Sequence, residues 1–253
     1  MTRALCSSPL RLLTPSRAPG HAAWVLASTF GGGLLDGDRI DLSIDVGPEA
    51  DCYFGTQAST KVYRSSGGCG ASQAMTVKVA AGATCVLLPD MLACFADARF
   101  QQRLELRLDA SASVMALDWL SSGRRARGER WAFDRFKSRI DATIGGKLVF
   151  RDALLLDKAA GPIDDDCRMG AINCFGTLLL LGPKLHASAE SALARTKGDW
   201  PNERDFLCAV SAIGGGAVIR FAAVDPQKAI AWLGRRLQAA HVLIGADPWS
   251  RKF

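Results

Sequence analysis

Hydrophobic and polar residues alternate with a period of two along three segments of the N-terminal half. Residues 40–46, 75–79 and 104–108 carry an apolar side chain at every second position, with Asp, Ser, Thr, Lys, Arg or Glu between them. This alternation is typical of β-strands that bury one face and expose the other. The pattern therefore predicts three half-buried strands.

The three strands belong to a weak internal repeat. Each is followed by a tight turn of small residues that ends in alanine, and then by a short apolar segment. The turn-ending alanines are Ala50, Ala83 and Ala112, so the repeat lengths are 33 and 29 residues. Because one strand-turn-strand unit cannot bury its apolar face alone, stacked, β-helix-like sheets are one solution. A generic antiparallel sandwich with similar turns explains the pattern about equally well.

Helix signals are confined to the C-terminal half, where we expect about two α-helices. Asp225 followed by Pro226 is typical of a helix start, with the aspartate as N-cap and proline in the first turn. Apolar residues then recur on one face, which predicts a helix to about Ala240. Residues 188–197 predict a shorter helix that ends at residues 198–202.

Composition indicates one folded unit. The chain has 253 residues, of which 49% are apolar, enough to fill a core and to exclude general disorder. Residues 161–166 predict a solvated loop, and no segment has the length and composition of a linker between domains. We therefore expect a mainly β, single domain over residues 1–253.

Cysteine and histidine usage argues against a built metal centre. The eight cysteines form no C-x-x-C motif, and the three histidines are far apart in sequence. Several cysteines lie in apolar runs, where they act as small hydrophobes in a reducing cytosol. Residues 1–35 carry three arginines and no acid, as transit peptides do, but this segment enters the glycine-rich stretch without a break. We expect a cytoplasmic protein without a membrane-spanning segment.

Two polar segments are candidates for function. Residues 31–39 form a glycine-rich loop that enters a strand; no helix and no Gly-Lys-Ser/Thr ending follows, so it is not a phosphate loop. A turn with positive φ angles is favoured over a ligand-binding loop. Residues 56–64 are dense in hydrogen-bonding groups and end in Tyr63 and Arg64, residue types favoured at protein interfaces. A polar strand edge is the alternative.

A third segment concentrates the basic charge. The net charge is +6, and residues 122–139 alone contain seven basic and two acidic residues. A solvated basic face, or a single-strand nucleic-acid surface with interleaved aromatic residues, would show this composition. The embedded Asp118, Glu129 and Asp134 are either members of ion pairs or hard ligands on a metal path.

Two further features leave alternatives open. Residues 247–253, with Trp249 and basic neighbours, predict either a docking tail or a frayed terminus. Cys69 lies in a Ser- and Gly-rich loop and is the only loop cysteine that looks exposed, so it is the candidate for a cysteine-dependent enzyme.

Five ordered motifs together resemble the UreD/UreH family of urease accessory proteins. The match extends over about residues 8 to 247. The motifs are residues 32–38 (GGLLDGD), 56–64 (TQASTKVYR), 88–90 (LPD), 95–100 (FADARF) and 118–129 (DWLSSGRRARGE).

The resemblance implies a non-catalytic cytosolic scaffold. It would bind the urease apoprotein together with UreF, which bridges to the GTPase UreG, so that nickel reaches the urease active site. A β-fold of stacked sheets with an internal tunnel for nickel is also implied, with Asp118 and Glu129 as candidate groups on a transient nickel path. No tightly bound cofactor, nucleic acid or membrane partner is expected. The candidate partner-binding residues are Thr56, Gln57, Lys61, Tyr63, Arg64, Arg124, Arg127 and Trp249.

The sequence departs from the family pattern in two places. Family members carry a further strand before the part that matches residues 8–10, so residues 1–7 are expected to form a disordered or truncated edge, with a sheet edge exposed beside them. Asp36 occupies a loop position where a small or apolar residue is commoner, and the sequence offers no explanation for it.

Overall fold

The computed structural model describes residues 3–15, 20–194 and 205–249. The strands are β1 Leu10–Leu13, β2 Ala23–Thr29, β3 Arg39–Val46, β4 Asp51–Thr56, β5 Lys61–Val62, β6 Ala71–Val79, β7 Thr84–Leu88, β8 Leu92–Cys94, β9 Arg99–Leu108, β10 Ser113–Ser121, β11 Arg135–Ile144, β12 Lys147–Asp157, β13 Cys174–Leu181, β14 Phe206–Ile213 and β15 Gly216–Ala223. The helices are α1 His186–Ala194, α2 Pro226–Arg236 and α3 Gln238–Ile244.

These strands form two stacked sheets. The smaller sheet has the order β12-β11-β9-β6-β3. The larger sheet has the order β1-β2-β4-β7-β10-β13-β15-β14, and β5 and β8 pair beside it. Strand β1 forms one edge of the larger sheet, and β3 forms one edge of the smaller sheet.

The internal repeat corresponds to successive rungs of this stack. Val46 of β3 pairs with Val79 of β6, and Val79 pairs with Leu108 of β9, all in parallel. The short apolar segments after the turns stack in the same way, as β4, β7 and β10 in the larger sheet. The stacked arrangement is therefore confirmed, and the antiparallel sandwich is wrong for the N-terminal half.

After β10 the pairing changes. Strands β13, β15 and β14 continue the larger sheet in antiparallel order, and the helices cover its outer face. Asp225 caps α2 by accepting a hydrogen bond from the Gln227 backbone N–H, 3.0 Å away, as the sequence indicated. The predicted single helix to Ala240 is wrong: α2 ends at Arg236, and α3 begins after a non-helical Leu237.

The break at Leu237 has a packing reason. Leu237 is buried together with Leu233 of α2 and Ile244 of α3 in one apolar cluster that also contains strands of the larger sheet, so both short helices pack on that sheet. The C-terminal half therefore contains three described α-helices. The predicted helix of residues 188–197 begins at His186 and is described to Ala194, while its expected end at residues 198–202 lies outside the described residues.

Other expectations about the chain's segments can be compared directly with the structure. The loop at residues 161–166 is confirmed. The glycine-rich loop has positive φ angles at Gly31, Gly32 and Gly37, as expected of a turn. Residues 3–7 have no regular secondary structure and are exposed. None of the described helices has the length and apolar character that crossing a membrane requires.

Candidate functional site

The five sequence motifs meet at one end of the stacked sheets. The Leu34 backbone N–H donates to the carbonyl of Lys61 at 2.7 Å, and the Tyr63 N–H donates back to Leu34 at 2.9 Å. On the other side of the same segment, the Phe95 N–H donates to the carbonyl of Val62 at 2.9 Å. The glycine-rich loop, the segment around β5 and the segment after β8 therefore lie side by side.

Asp36 connects the glycine-rich loop to a second loop, residues 67–70. Its carboxylate accepts backbone N–H groups from Gly67 and Gly70, each at 2.6 Å. Hydrogen bonds to a carboxylate are stronger than those between neutral groups. The residue that departs from the family pattern therefore has a structural role: it fixes the glycine-rich loop to residues 67–70.

Aromatic and charged side chains from three motifs meet around Phe95. The Tyr63 ring packs edge-on against Phe95, with centroids 5.3 Å apart, and the Arg124 guanidinium lies 4.0 Å from the Phe95 ring centroid. Arg124 also forms an ion pair with Glu129. The hydrogen bond from Arg124 lowers the pKa of Glu129, and the Ala96 N–H donates to the same carboxylate at 3.2 Å. Of the two interpretations for Glu129, the structure shows the ion pair.

Most candidate partner-binding residues surround this cluster at the surface. Gln57, Lys61, Arg64 and Arg127 are exposed, and Tyr63 and Arg124 are half-buried. Two apolar side chains of the glycine-rich segment, Phe30 and Leu35, are 58% and 60% exposed. Sequence reasoning missed both, although large apolar residues in a glycine-rich turn are a signal for contact. We call this surface, residues 30–35, 57–64 and 124–127, the motif surface.

Two candidates lie away from the motif surface. Thr56 is buried, and its hydroxyl donates to the Asp90 carboxylate at 2.9 Å. Trp249 is also buried and stacks on Trp119, with centroids 5.9 Å apart. The structure therefore places Trp249 in the core of its own chain and not in an exposed docking tail; residues 250–253 lie outside the described residues.

Several charged residues of the basic segment form ion pairs, and its aromatic residues are buried. Arg130 contacts Asp164 at 3.6 Å, Arg135 contacts Asp157 at 3.7 Å, and Arg139 contacts Asp141 at 2.7 Å. Lys158 approaches Asp134 at 3.9 Å. The interleaved aromatic side chains are buried and offer no stacking surface for bases: Trp131, Phe133 and Phe136. The nucleic-acid interpretation loses its main support.

Asp118 occupies a different place, between the two sheets. Both carboxylate oxygens accept from the Gln102 side-chain amide, at 2.8 and 2.9 Å, and the Ser138 hydroxyl donates at 3.3 Å. Burial raises the pKa of Asp118, while the Gln102 and Ser138 hydrogen bonds oppose that rise. None of these partners is an arginine, so Asp118 is not the ion-pair member that its sequence neighbours suggested.

Asp118 belongs to a set of polar side chains that crosses the interior. Gln73, Gln102 and Ser138 are register neighbours on the smaller sheet, and Asp118 and Thr177 are register neighbours on the larger sheet. We call these five residues the polar row. On either side of it lie two apolar clusters, one between the sheets and one at the motif end.

Two cavities border Asp118. The larger, about 180 Å³, extends from Asp118 and Gln73 to Thr60 and Lys61 of the motif surface. The smaller, about 40 Å³, is lined by Asp118, Ser138 and Thr177 among others. Asp118 is thus enclosed by protein and yet touched by internal space on two sides. Glu129 lines neither cavity, so the structure does not bring the two candidate nickel-path carboxylates together.

The remaining candidates for metal binding and nucleophilic catalysis are the cysteines and histidines. Within residues 3–15, 20–194 and 205–249, no group of three or more His, Cys, Asp or Glu side chains is arranged to hold a metal ion. Cys69 is exposed, as expected, but the expectation that it is the only exposed loop cysteine is wrong, because Cys6 and Cys167 are exposed as well. The histidines have other positions: His21 lies 3.2 Å from Asp51, His186 lies 3.7 Å from Glu190, and His241 is on α3. The positions given for the histidines thus provide no support for the interpretation of Cys69 as the nucleophile of a cysteine-dependent enzyme.

The described residues thus form a stacked β-fold with a loop surface at one end and a row of polar side chains between the sheets. Comparison with known families gives the specific assignment: the model of the UreD urease accessory protein family matches residues 1–252. The chain belongs to the UreD family.

Individual relatives agree with this assignment. A urease accessory protein UreD of Anaeromyxobacter sp. (strain Fw109-5) is 41% identical over 249 residues, covering 98% of this chain and 82% of the relative. One of Sorangium cellulosum is also 41% identical, covering 100% of this chain and 80% of the relative. Urease accessory protein D of Oryza sativa subsp. indica is 29% identical, covering 98% and 90%. The chain is thus a urease accessory protein with a function in urease maturation.

Proposed function

We propose that this chain is a non-catalytic cytoplasmic scaffold that binds the urease apoprotein and UreF, and that UreF connects it to the GTPase UreG. Nickel is the cargo of the assembly and is not retained as a cofactor. The observation that carries the proposal is the 180 Å³ cavity that extends from Asp118 to Thr60 and Lys61 of the motif surface.

The chemistry of the polar row supports passage of a cation and not storage. Carboxylate, amide and hydroxyl oxygens are hard ligands that a divalent cation accepts, but Asp118 is the only carboxylate in the polar row. The cavities are also lined by Asp90, which accepts from Thr56, and by Asp152, which pairs with Arg220. The raised pKa of Asp118 further lowers its charge at a given pH. A site with these properties binds nickel weakly, which a route requires and a store does not.

The motif surface is the proposed docking site for a maturation partner. It combines two exposed apolar side chains, Phe30 and Leu35, with a half-buried tyrosine and exposed arginines. Aromatic residues and arginine are enriched where proteins bind each other. Its position beside the mouth of the larger cavity would let a docked partner receive or deliver the cargo.

Co-purification tests the docking proposal. The chain should co-purify with UreF and with urease apoprotein, and deleting it should leave urease expressed but without nickel. Leu35→Glu should reduce recovery of one partner at least about tenfold, because it places a charge in an apolar contact. Val242→Glu is the matched control, since Val242 is 80% exposed on α3. Unchanged recovery of both partners with Leu35→Glu would contradict the docking site.

Nickel content tests the route. Asp118→Asn keeps the shape of the side chain but removes the carboxylate, so urease should still bind the accessory complex and should contain several-fold less nickel. Asp166→Asn is the control, because it changes a carboxylate in an exposed loop. Glu129→Gln should leave the nickel content near the wild-type value, since Glu129 lines neither cavity. If urease matured with the Asp118→Asn variant contained as much nickel as with the wild type, the route would be refuted, while the scaffold proposal would remain.

A further inference from the structure

Two cysteines lie side by side on neighbouring rungs of the larger sheet. Cys52 of β4 and Cys85 of β7 are direct partners in the parallel register, and their side chains are hydrogen-bonded to each other. Adjacent strands lie about 4.7–4.9 Å apart, and the Cα atoms of disulfides are about 4.4–6.8 Å apart. The backbone therefore already holds the two thiols at a separation that a disulfide can bridge.

The two cysteines differ in their access to solvent. Cys52 is 9% exposed and lines a groove of about 770 Å³, whose walls include side chains of β2, β3 and β4. Cys85 is 0% exposed. A small oxidant that enters the groove therefore meets Cys52 before Cys85.

The thiols also differ in reactivity. The hydrogen bond from the Cys85 thiol lowers the pKa of Cys52, although burial opposes this effect. The same hydrogen bond raises the pKa of Cys85, and burial raises it further. Because the thiolate is the nucleophilic form, Cys52 is the thiol that attacks an oxidant, and Cys85 is the one that waits as its partner.

The surroundings of the pair are apolar. Both side chains belong to the apolar cluster between the sheets, and they are its two cysteines among the described residues. In the register, Ala23 lies on the far side of Cys52 and Val114 on the far side of Cys85. A disulfide has no charge and needs no hydrogen-bond partner, whereas a buried sulfenic acid or thiolate is costly. The disulfide is thus the oxidised form that this cluster accommodates.

We propose that Cys52 and Cys85 form an oxidation site, in which a peroxide converts the two thiols into a disulfide that joins β4 to β7. Thiols reverse the modification by thiol–disulfide exchange. The pair lies away from the motif surface and is not part of the polar row, so the inference does not depend on the proposed function.

The reaction takes place in two steps. The Cys52 thiolate attacks one oxygen of hydrogen peroxide, so that an S–O bond forms, the O–O bond breaks and hydroxide leaves. Cys52 is oxidised to the sulfenic acid, the peroxide is reduced, and the hydroxide takes up the proton that Cys52 lost. The Cys85 sulfur then attacks the Cys52 sulfur; an S–S bond forms, the S–O bond breaks, and the oxygen leaves as water with the Cys85 proton.

Disulfide mapping of the full-length chain tests the site. The reduced protein is treated with hydrogen peroxide, unfolded and alkylated, and its peptides are analysed by mass spectrometry without reduction. A peptide pair joined through Cys52 and Cys85 should form at least about tenfold faster than the Cys94 thiol is lost, because Cys94 is buried and burial raises its pKa. Dithiothreitol should restore both thiols.

Two alanine variants separate the roles of the thiols. Cys85→Ala removes the resolving thiol, so dimedone, which reacts with sulfenic acids, should label Cys52. In Cys52→Ala, Cys85 should stay reduced, because it is enclosed. Cys167→Ala, which changes an exposed cysteine, is the control and should form the disulfide at the wild-type rate.

Circular dichroism shows whether the variants fold, and if they do not, the wild-type mapping decides. The proposal would be overturned if Cys52 and Cys85 remained free thiols at a peroxide concentration that oxidises the exposed Cys69. Oxidation of Cys85 in Cys52→Ala at the wild-type rate would contradict the order of the two steps and would overturn it as well.

Discussion

The space between the two sheets has an apolar half and a polar half, and both are built by the same strands. In the apolar half, β9 contributes Leu106 and Leu108 to a cluster that also contains Val77 and Phe54. Four residues before Leu106, the same face of β9 carries Gln102, whose side-chain amide donates a hydrogen bond to Asp118. The polar half, unlike Leu106 and Val77, borders two cavities at Asp118.

This difference separates stability from function. Filling apolar space between sheets contributes most of the favourable free energy of folding, and a buried carboxylate contributes little or opposes it. The polar row is therefore not explained by the needs of the fold. Four substitutions, described from the largest expected effect to the smallest, test this separation.

The largest effect is expected in the apolar half. Leu106 is 0% exposed, so Leu106→Ala should lower the free energy of unfolding by about 2–5 kcal/mol through lost burial and a residual cavity. Urea denaturation followed by circular dichroism measures this change. Leu148→Ala removes an exposed leucine and should change the value by no more than about 0.5 kcal/mol. Similar losses for the two variants would mean that the apolar half is not the stabilising half.

Gln102→Leu should destabilise the protein through Asp118. The substitution removes the donor to both carboxylate oxygens, which should cost about 1–3 kcal/mol at neutral pH. The cost should shrink as the pH falls and Asp118 becomes protonated in both folded and unfolded states. Gln101→Leu changes an exposed neighbour and should show no such pH dependence. A pH-independent loss for Gln102→Leu would indicate a packing effect instead.

Glu129→Gln tests a carboxylate at the surface. It breaks a partly exposed ion pair with Arg124, so the loss should be about 1 kcal/mol or less. Because the pKa of Glu129 is lowered in the folded state, its contribution is present above the unfolded-state pKa and disappears as the pH falls through the folded-state pKa. Denaturation curves of the variant and the wild type measure this difference. The two proteins should differ in stability at neutral pH and should have the same stability at acidic pH.

Asp118→Asn should have the smallest effect and the opposite sign. A raised folded-state pKa means that the wild type loses stability as the pH rises from the unfolded-state pKa through the folded-state pKa. The asparagine variant lacks this loss, so it should match or exceed the wild type by about 1 kcal/mol or less at neutral pH. A clear destabilisation at neutral pH would show that the carboxylate supports the fold and would weaken its interpretation as a functional group.

The repeat and its strands could be predicted because they depend on neighbouring residues. Alternation between Ile40 and Val46 and the spacing of Ala50 from Ala83 are local signals, whereas the choice of parallel stacking over an antiparallel sandwich stayed open until the structure showed the pairing. The break at Leu237 was not predictable, since Leu233, Leu237 and Ile244 belong to one apolar cluster whose shape is set by the sheet against which they pack.

The polar row was only partly accessible from sequence. On β10, Asp118 lies on the same face as Val114 and Ala116, which point toward the other sheet. Its inward direction could therefore have been inferred. Gln73 and Gln102 are register neighbours in the repeat, which was a second available signal. The contact of Asp118 with Gln102 and Ser138 joins different sheets, however, and sequence spacing does not encode how two sheets are placed over one another. Asp36 was missed because its partners are backbone groups.

Strand β10 pairs in parallel with β7 on one side and antiparallel with β13 on the other. It is therefore the boundary between a modular part of the molecule, where each rung repeats the pairing of the one before, and a fixed part that ends in the helices. Adding or removing one rung before β10 would change the length of the stack in a single step and leave the antiparallel half as it is. Asp118 lies on this boundary strand, so related chains can vary in length without moving the carboxylate relative to Thr177.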